Sequence, residues 1–241
     1  MKQLTLTWTK SIAEDLNKLG YVSEIDEQRK FYSCYDLLNV SKNNRVYVLI
    51  SDALRYEVAA ELSETLNLRT KGKAILESLQ AIFPSITRYG MAALLPGKEM
   101  SVNDKNEVLV DGYATTSTEQ RGAILKATNP ASVATTYKEL IHMKQSERRS
   151  LVQGIDTVYI YHNAIDAIGD KTSTETKVFE ACNTAIEELT AAVKIIVNDL
   201  SGTNIYITAD HGFLYTYKPL DESQKISRQT FSGEVYEIGR R

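Results

Sequence analysis

Apolar residues change their spacing repeatedly along the chain. Over residues 11–19 (SIAEDLNKL) and 26–38 (DEQRKFYSCYDLL) they recur every three to four positions, which predicts two helices joined by a turn near Gly20. A polar break, SKNN, follows at 41–44. RVYVLI at 45–50 then runs almost continuously apolar, the mark of a strand covered on both faces in a parallel sheet. The helical period returns at once over 53–68 (ALRYEVAAELSETLNL).

This grammar recurs. Residues 74–83 (AILESLQAIF) hold strand-like runs ending at Pro84, and 85–95 (SITRYGMAALL) predict a helix stopped by Pro96-Gly97. NEVLV at 106–110 predicts a brief strand closed by Asp111-Gly112, and 118–128 (TEQRGAILKAT) a helix with Thr118 as its N-cap. Residues 146–154 (SERRSLVQG) predict another helix, 156–162 (DTVYIYH) a second buried strand, 175–200 the longest helix and 203–209 (TNIYITA) a third buried strand. The tail, 212–241, is polar and Tyr-containing without a clear period. Alternating strands and helices predict an α/β fold of three layers: a mainly parallel sheet with helices on both faces. The expected organisation is a helical N-terminal extension over 1–44 followed by one α/β domain over 45–241.

Composition narrows the chemistry. With 43% hydrophobic and 24% charged residues, the 241-residue chain can build a core, which excludes wholesale disorder. A net charge of −3 excludes a uniformly basic nucleic-acid coat but leaves room for a local basic groove. Two cysteines, Cys34 and Cys182, exclude a disulfide framework or a thiolate zinc cluster. Three histidines exclude a centre built on imidazoles alone, so any metal must rest on carboxylates. The N-terminus, MKQLTLTWTK, lacks a signal-like apolar stretch and no window approaches the roughly 18 apolar residues of a membrane span; the expected location is cytoplasmic, with no membrane partner.

The three best strands each run into an aspartate: RVYVLIS into Asp52, TVYIYHNAI into Asp166 and NIYITA into Asp210, with His211 beside it. Ligands of open α/β sheets bind beyond the carboxyl ends of the strands, so these groups converge on one edge. Any single aspartate there more often caps a helix or makes a turn. Three together repel one another and call for a cation; mixed Asp and His ligation suits zinc, manganese or iron better than calcium. A nucleophile candidate lies in PSITRYG, where Thr87 opens a helix whose free N–H groups and dipole favour phosphate and a developing alkoxide. A threonine needs a base or a metal to react at neutral pH, and the plainer role for Ser85 or Thr87 is to cap that helix.

Taken together and in this order, ISDALRYEVAAEL, PSITRYGMAALLPG, VYIYHNAIDAIGD and ITADHGFLY resemble the PglZ domain of the alkaline phosphatase superfamily, over about residues 45–217. The resemblance implies an alkaline-phosphatase-like core and a two-metal phosphohydrolase. It implies Asp52, Asp210 and His211 as ligands of one metal, with Thr87 as the metal-bound nucleophile that forms a phospho-enzyme. The stretch D-x-x-G-D resembles the D-x-x-G-H segment of related phosphodiesterases, which implies Asp166 and Asp170 as ligands of the second metal. Asp170 stands where many relatives carry histidine, a harder site that shifts the expected ion from zinc toward manganese or magnesium. The superfamily pattern also has a histidine downstream of DHG, whereas His142 and His162 both lie upstream. The expectation is therefore a fragment of a longer protein, cut after VYEIGRR, holding at most one metal well. The family implies a role in bacterial phage-resistance systems, with a DNA methyltransferase and an ATPase as partners. The implied substrate is a phosphoester, including nucleotides or nucleic acid. The alternative is a non-catalytic metal-binding interaction scaffold of a phage-defence complex.

Other residues carry secondary expectations. Arg55 and Arg88 flank Asp52 and Thr87, and a guanidinium suits phosphate, though solvated arginines are common. His162 and Asn163 precede Asp166 and are expected to orient it. Tyr159, Tyr161, Tyr215 and Tyr217 suit either base stacking or, more commonly, strand packing. KQSERR at 144–149 suits a nucleic-acid backbone or a solvated helix face, and VDGYATTSTEQR at 110–121 suits a substrate entrance or a capped loop.

Overall fold

The computed structural model describes Phe31 and residues 45–79, 81–82, 85–169 and 177–213. The helices predicted over 11–19 and 26–38, together with Cys34, Asp170, Tyr215, Tyr217 and the rest of the tail, lie outside these residues, apart from the buried, helical Phe31.

In chain order the elements are β1 (Val46–Ser51), α1 (Tyr56–Arg69), α2 (Thr87–Ala93), β2 (Met100–Val102), β3 (Val108–Val110), β4 (Tyr113–Ala114), α3 (Thr118–Thr128), β5 (Ser132–Thr136), α4 (Tyr137–His142), α5 (Gln145–Leu151), β6 (Thr157–His162), α6 (Asp166–Gly169), α7 (Val178–Leu200) and β7 (Asn204–Thr208). Among the described residues four strands form a parallel sheet in the order β5-β6-β1-β7. Every residue of β1 and β6 is buried, as an apolar strand inside a parallel sheet requires.

The two-residue period of the strands sorts their side chains into two cores. Tyr47 and Leu49 of β1, with Val158 and Ile160 of β6, pack against α1, α4 and α7. Val46, Val48 and Ile50, with Tyr159 and Tyr161, pack on the opposite face against α2, α3 and β3. Helices thus cover both faces, the three-layer arrangement expected from the sequence. The long α7 supplies the deepest contacts: Leu189, Ala192 and Ile196 are fully buried, and each large aliphatic side chain so covered contributes about 1.5–3 kcal/mol.

Several expectations need correction. Residues 74–79 and 81–82 form no strand; Ile75 is 70% exposed, and without a paired neighbour or a covered face an apolar run gains nothing by extending. Val108–Val110 does form a strand, but in a separate antiparallel sheet, β2-β3-β4. Its hairpin turns on Asp111-Gly112, both at positive φ (49° and 82°), the two-residue loop that suits strand twist. Ser117, not Thr118, caps α3: its side chain accepts the Gln120 N–H while Gln120 returns the bond to the cap backbone. β7 is half-buried along its length rather than fully covered, because among the described residues it pairs only with β1. KQSERR is tied inward: Arg148 donates to the Leu140 and Ile141 carbonyls and pairs with Asp199, and Arg149 donates to the Asp199 carbonyl. Tyr159 and Tyr161 are buried, and the Tyr159 hydroxyl donates to the Leu94 carbonyl, so they pack the core rather than offer rings to bases.

Candidate metal centre

Register brings the strand ends level. Ser51 pairs with His162 and Ile50 with Thr208, so Asp52 and Asp210 leave β1 and β7 on the same edge of the sheet. Immediately after Asp52 the chain turns through Ala53 at φ 63°, a left-handed conformation uncommon for a residue with a side chain. That turn aims the Ala53 N–H at Asp210 Oδ1, 3.2 Å away, and so ties the two strand ends together. Helix α2 closes the site from the other side. Its Gly90 sits so close to Asp210 that a Cβ there would lie 2.3 Å from the Asp210 carbonyl oxygen.

Four donor atoms converge as a result. His211 Nε2 lies 3.0 Å from Thr87 Oγ1, 3.4 Å from Asp52 Oδ1 and 3.5 Å from Asp210 Oδ2. The ligand atoms of Asp52, Asp210 and His211 all lie within 4.8 Å of one another. Asp52 and Asp210 are each only 4% exposed, and among the described residues Asp52 Oδ1 and Asp210 Oδ2 have no hydrogen-bond partner. Buried carboxylate oxygens without partners are costly, and a cation removes that cost.

The donors fit one. The His211 Nδ1–H donates to the Gly212 carbonyl at 2.7 Å, which leaves Nε2 bare toward the carboxylates. Asp52, Asp210 and His211 would hold the ion through two carboxylates and one imidazole, a mixed oxygen and nitrogen set that zinc accepts. Without an ion the carboxylates resist ionising. Burial, then the negative charges of Asp210 and Asp166, push the Asp52 carboxyl up to about 8. Burial likewise raises Asp210, against the pull of His211 and the Ala53 N–H.

The remaining residues sort by contact. Thr87 is the first residue of α2 and makes no capping bond; its hydroxyl is spent on His211 instead. Asp166 opens α6 near enough to raise the Asp52 pKa, but stands outside the three-residue cluster. Asn163 accepts the Ala167 N–H at 2.9 Å and so caps α6 rather than orienting Asp166. His162 turns to the α7 side, bonding Ser51 and Glu188 instead of Asp166. Arg55 pairs with Glu57 and stacks 5.0 Å from the Phe213 ring, while Arg88 donates to the Asn106 carbonyl at 3.1 Å.

Sequence reasoning missed Arg121. Its Nε and Nη2 donate to the Thr115 and Thr116 carbonyls at 2.8 and 3.1 Å, and its guanidinium lies 4.5 Å over the Tyr161 ring. Held there, its charge lowers the Asp52 pKa, opposing the carboxylates. The one signal was the Thr-rich 110–121 stretch, whose carbonyls form the bracket. A groove of about 2170 Å³ beside β7 reaches the centre, with Asp210, His211 and Gly212 in its wall.

Comparison with known proteins supplies the family. The chain matches the BREX system PglZ alkaline phosphatase-like domain over residues 33–241. It is 37% identical over 235 residues to "Alkaline phosphatase-like protein PglZ" of Bacillus cereus (strain H3081.97), covering 98% of this chain and 28% of that one. It is 39% identical over 236 residues to "Alkaline phosphatase-like protein BrxZ" of Escherichia coli O9:H4 (strain HS), covering 95% of this chain and 27% of that one. The chain thus spans little more than a quarter of the length of these curated relatives. Among the described residues no helix is long and apolar enough to cross a membrane. A parallel sheet with helices on both faces, Asp52 and Asp-His at its carboxyl edge, and a family match running to the last residue together mean that the chain belongs to the PglZ family of alkaline-phosphatase-like domains.

Proposed function

We propose that this domain hydrolyses a phosphoester with the help of a divalent cation held by Asp52, Asp210 and His211, as part of a BREX phage-defence assembly. The observation that carries the reading is the convergence of two buried carboxylate oxygens without a hydrogen-bond partner among the described residues, an imidazole nitrogen and a threonine hydroxyl. Zinc fits this donor set best, with manganese or magnesium as alternatives. A bound cation would supply Lewis-acid charge that lowers the pKa of a nearby oxygen and balances phosphate. Thr87 presents its Oγ1 to the phosphorus; the new Oγ1–P bond forms as the ester P–O bond breaks, and the departing alcohol takes up the proton. Water then cleaves the Oγ1–P bond and restores the hydroxyl. Arg121, fixed by two carbonyls and a ring, supplies positive charge for phosphate at no ordering cost. Asp166 is the carboxylate nearest in role to a second cation ligand, with Asp170 as its expected companion. Nucleotides or nucleic acid are the proposed substrate class, and a methyltransferase and an ATPase the proposed partners, on the strength of the family alone.

The test is hydrolysis of nitrophenyl phosphate mono- and diesters by the protein with added zinc or manganese. Turnover that disappears in folded Thr87→Ala and Asp210→Ala variants supports the reading. Turnover unchanged in both overturns it. Metal binding without turnover on any phosphoester overturns the hydrolytic role and leaves a metal-binding scaffold.

A further inference from the structure

On the α7 side of the sheet, Ser51, His162 and Glu188 form one continuous hydrogen-bonded chain. Ser51 Oγ lies 2.9 Å from His162 Nδ1, and His162 Nε2 lies 2.8 Å from Glu188 Oε2. A carboxylate only accepts, so Nε2 carries the ring hydrogen; Nδ1 is then bare and accepts from the Ser51 hydroxyl. Tyr137 packs edge-on against the same ring, centroids 5.3 Å apart. The backbone of His162 is engaged too: its carbonyl accepts the Asp52 N–H at 2.9 Å.

The placement is unusual for such polar groups. Ser51 is fully buried and His162 is 2% exposed, on the face that otherwise carries Tyr47, Leu49, Val158 and Ile160. Apolar side chains would fill the same space without needing partners, and a broken link leaves a buried polar group unsatisfied, which destabilises the fold. Fully satisfied, the chain locks both rotamers, and it ends on the residue next to Asp52. Its outer end is accessible: Glu188 stands on α7 with its side chain 35% exposed.

We propose that Glu188 is a positioning residue for the metal centre, acting through His162 and Ser51 to hold the Asp52 end of β1 where it converges with Asp210 and His211. The proposal rests on reading that cluster as a metal centre. Glu188→Leu removes the acceptor, frees the ring to take either tautomer and loosens Ser51. Glu188→Gln keeps a carbonyl oxygen for Nε2–H and so preserves the chain.

The experiment titrates zinc or manganese into metal-free wild type, Glu188→Leu, Glu188→Gln and Asp210→Asn, with thermal unfolding as the check on folding. The expected result is a loss of affinity of about 10–100-fold in Glu188→Leu and recovery to within a few-fold of wild type in Glu188→Gln. Ring ¹⁵N shifts of His162 report the Nε2–H tautomer in wild type and in Glu188→Gln, and a mixture in Glu188→Leu. A merely structural contact would lower thermal stability without moving tautomer and affinity together. If Asp210→Asn loses the metal while Glu188→Leu binds it like wild type, the positioning role is wrong and the metal centre stands. The positioning role is equally wrong if Glu188→Gln binds as weakly as Glu188→Leu. If wild type takes up no metal, or Asp210→Asn binds it equally well, the metal-centre reading fails and this proposal falls with it.

Discussion

Gly90→Ala sets two physical effects of opposite sign against each other. In the interior of a helix, alanine is better than glycine by roughly 0.5–1 kcal/mol, so on propensity alone the variant is more stable. The contact with Asp210 says otherwise. A Cβ at this position would lie 2.3 Å from the Asp210 carbonyl oxygen, 2.7 Å from the carbonyl carbon and 2.8 Å from Cβ. The obstacle is mostly backbone, so α2 and the end of β7 must separate by about 1 Å to restore van der Waals distance. Overpacking of this kind costs about 1–3 kcal/mol, and after the helix gain a net loss of up to about 2.5 kcal/mol remains. For a chain of this size that is a fall in melting temperature of up to about 10 °C. The displacement matters more for the site than for the fold. Thr87 is on the same seven-residue helix, and its 3.0 Å contact with His211 depends on where α2 lies. A 1 Å misplacement of a reacting group costs about 100-fold in rate, so phosphoesterase activity is expected to fall far more than the population of folded protein. Thermal unfolding and a nitrophenyl phosphate assay measure both. Gly122→Ala is the comparison, because its added Cβ meets the Ala134 methyl at 3.2 Å and comes no nearer than 3.9 Å to backbone, the Ala134 nitrogen. A Gly90→Ala protein that melts higher than wild type refutes the close approach of α2 to Asp210.

Four further outcomes follow from the same geometry. Asp52 has a folded-state pKa raised from 3.8 to about 8, so the metal-free fold binds a proton that the unfolded chain releases; stability from this group is full at low pH and is lost as pH rises through that window, which a pH series of thermal unfolding checks. Asp52→Asn flattens that slope and abolishes metal uptake, as titration with and without added zinc would show. Arg121→Gln is expected to raise KM for a phosphoester about tenfold with the smaller effect on kcat, since the guanidinium is proposed to meet phosphate rather than the nucleophile. Arg148→Ala removes an ion pair and two carbonyl contacts that join α4 and α5 to α7, and is expected to cost about 1–3 kcal/mol in denaturant unfolding.

The layers, and the edge on which the chemistry lies, were legible in the order of residues alone. Residues 46–50 and 158–161 carry large, mostly apolar side chains on both faces, as strands covered on both sides of a parallel sheet do. Strands so placed bring whatever follows them, Asp52 and Asp210, to one edge. Packing in three dimensions settled the rest, because the deciding forces act between residues far apart in the chain. Residues 74–79 look like a strand and are not one, since a strand needs a partner edge that local pattern does not supply. Arg55 and Arg88 lie near site residues in sequence yet bond to Glu57 and the Asn106 carbonyl, while Arg121, far along the chain, is a cation whose field reaches Asp52. His162 reads as a companion of Asp166, but in a strand alternate side chains face opposite layers, and its position sends it to Ser51 and Glu188. Sequence spacing places a residue on an element; only packing decides which way its side chain faces and what it meets there.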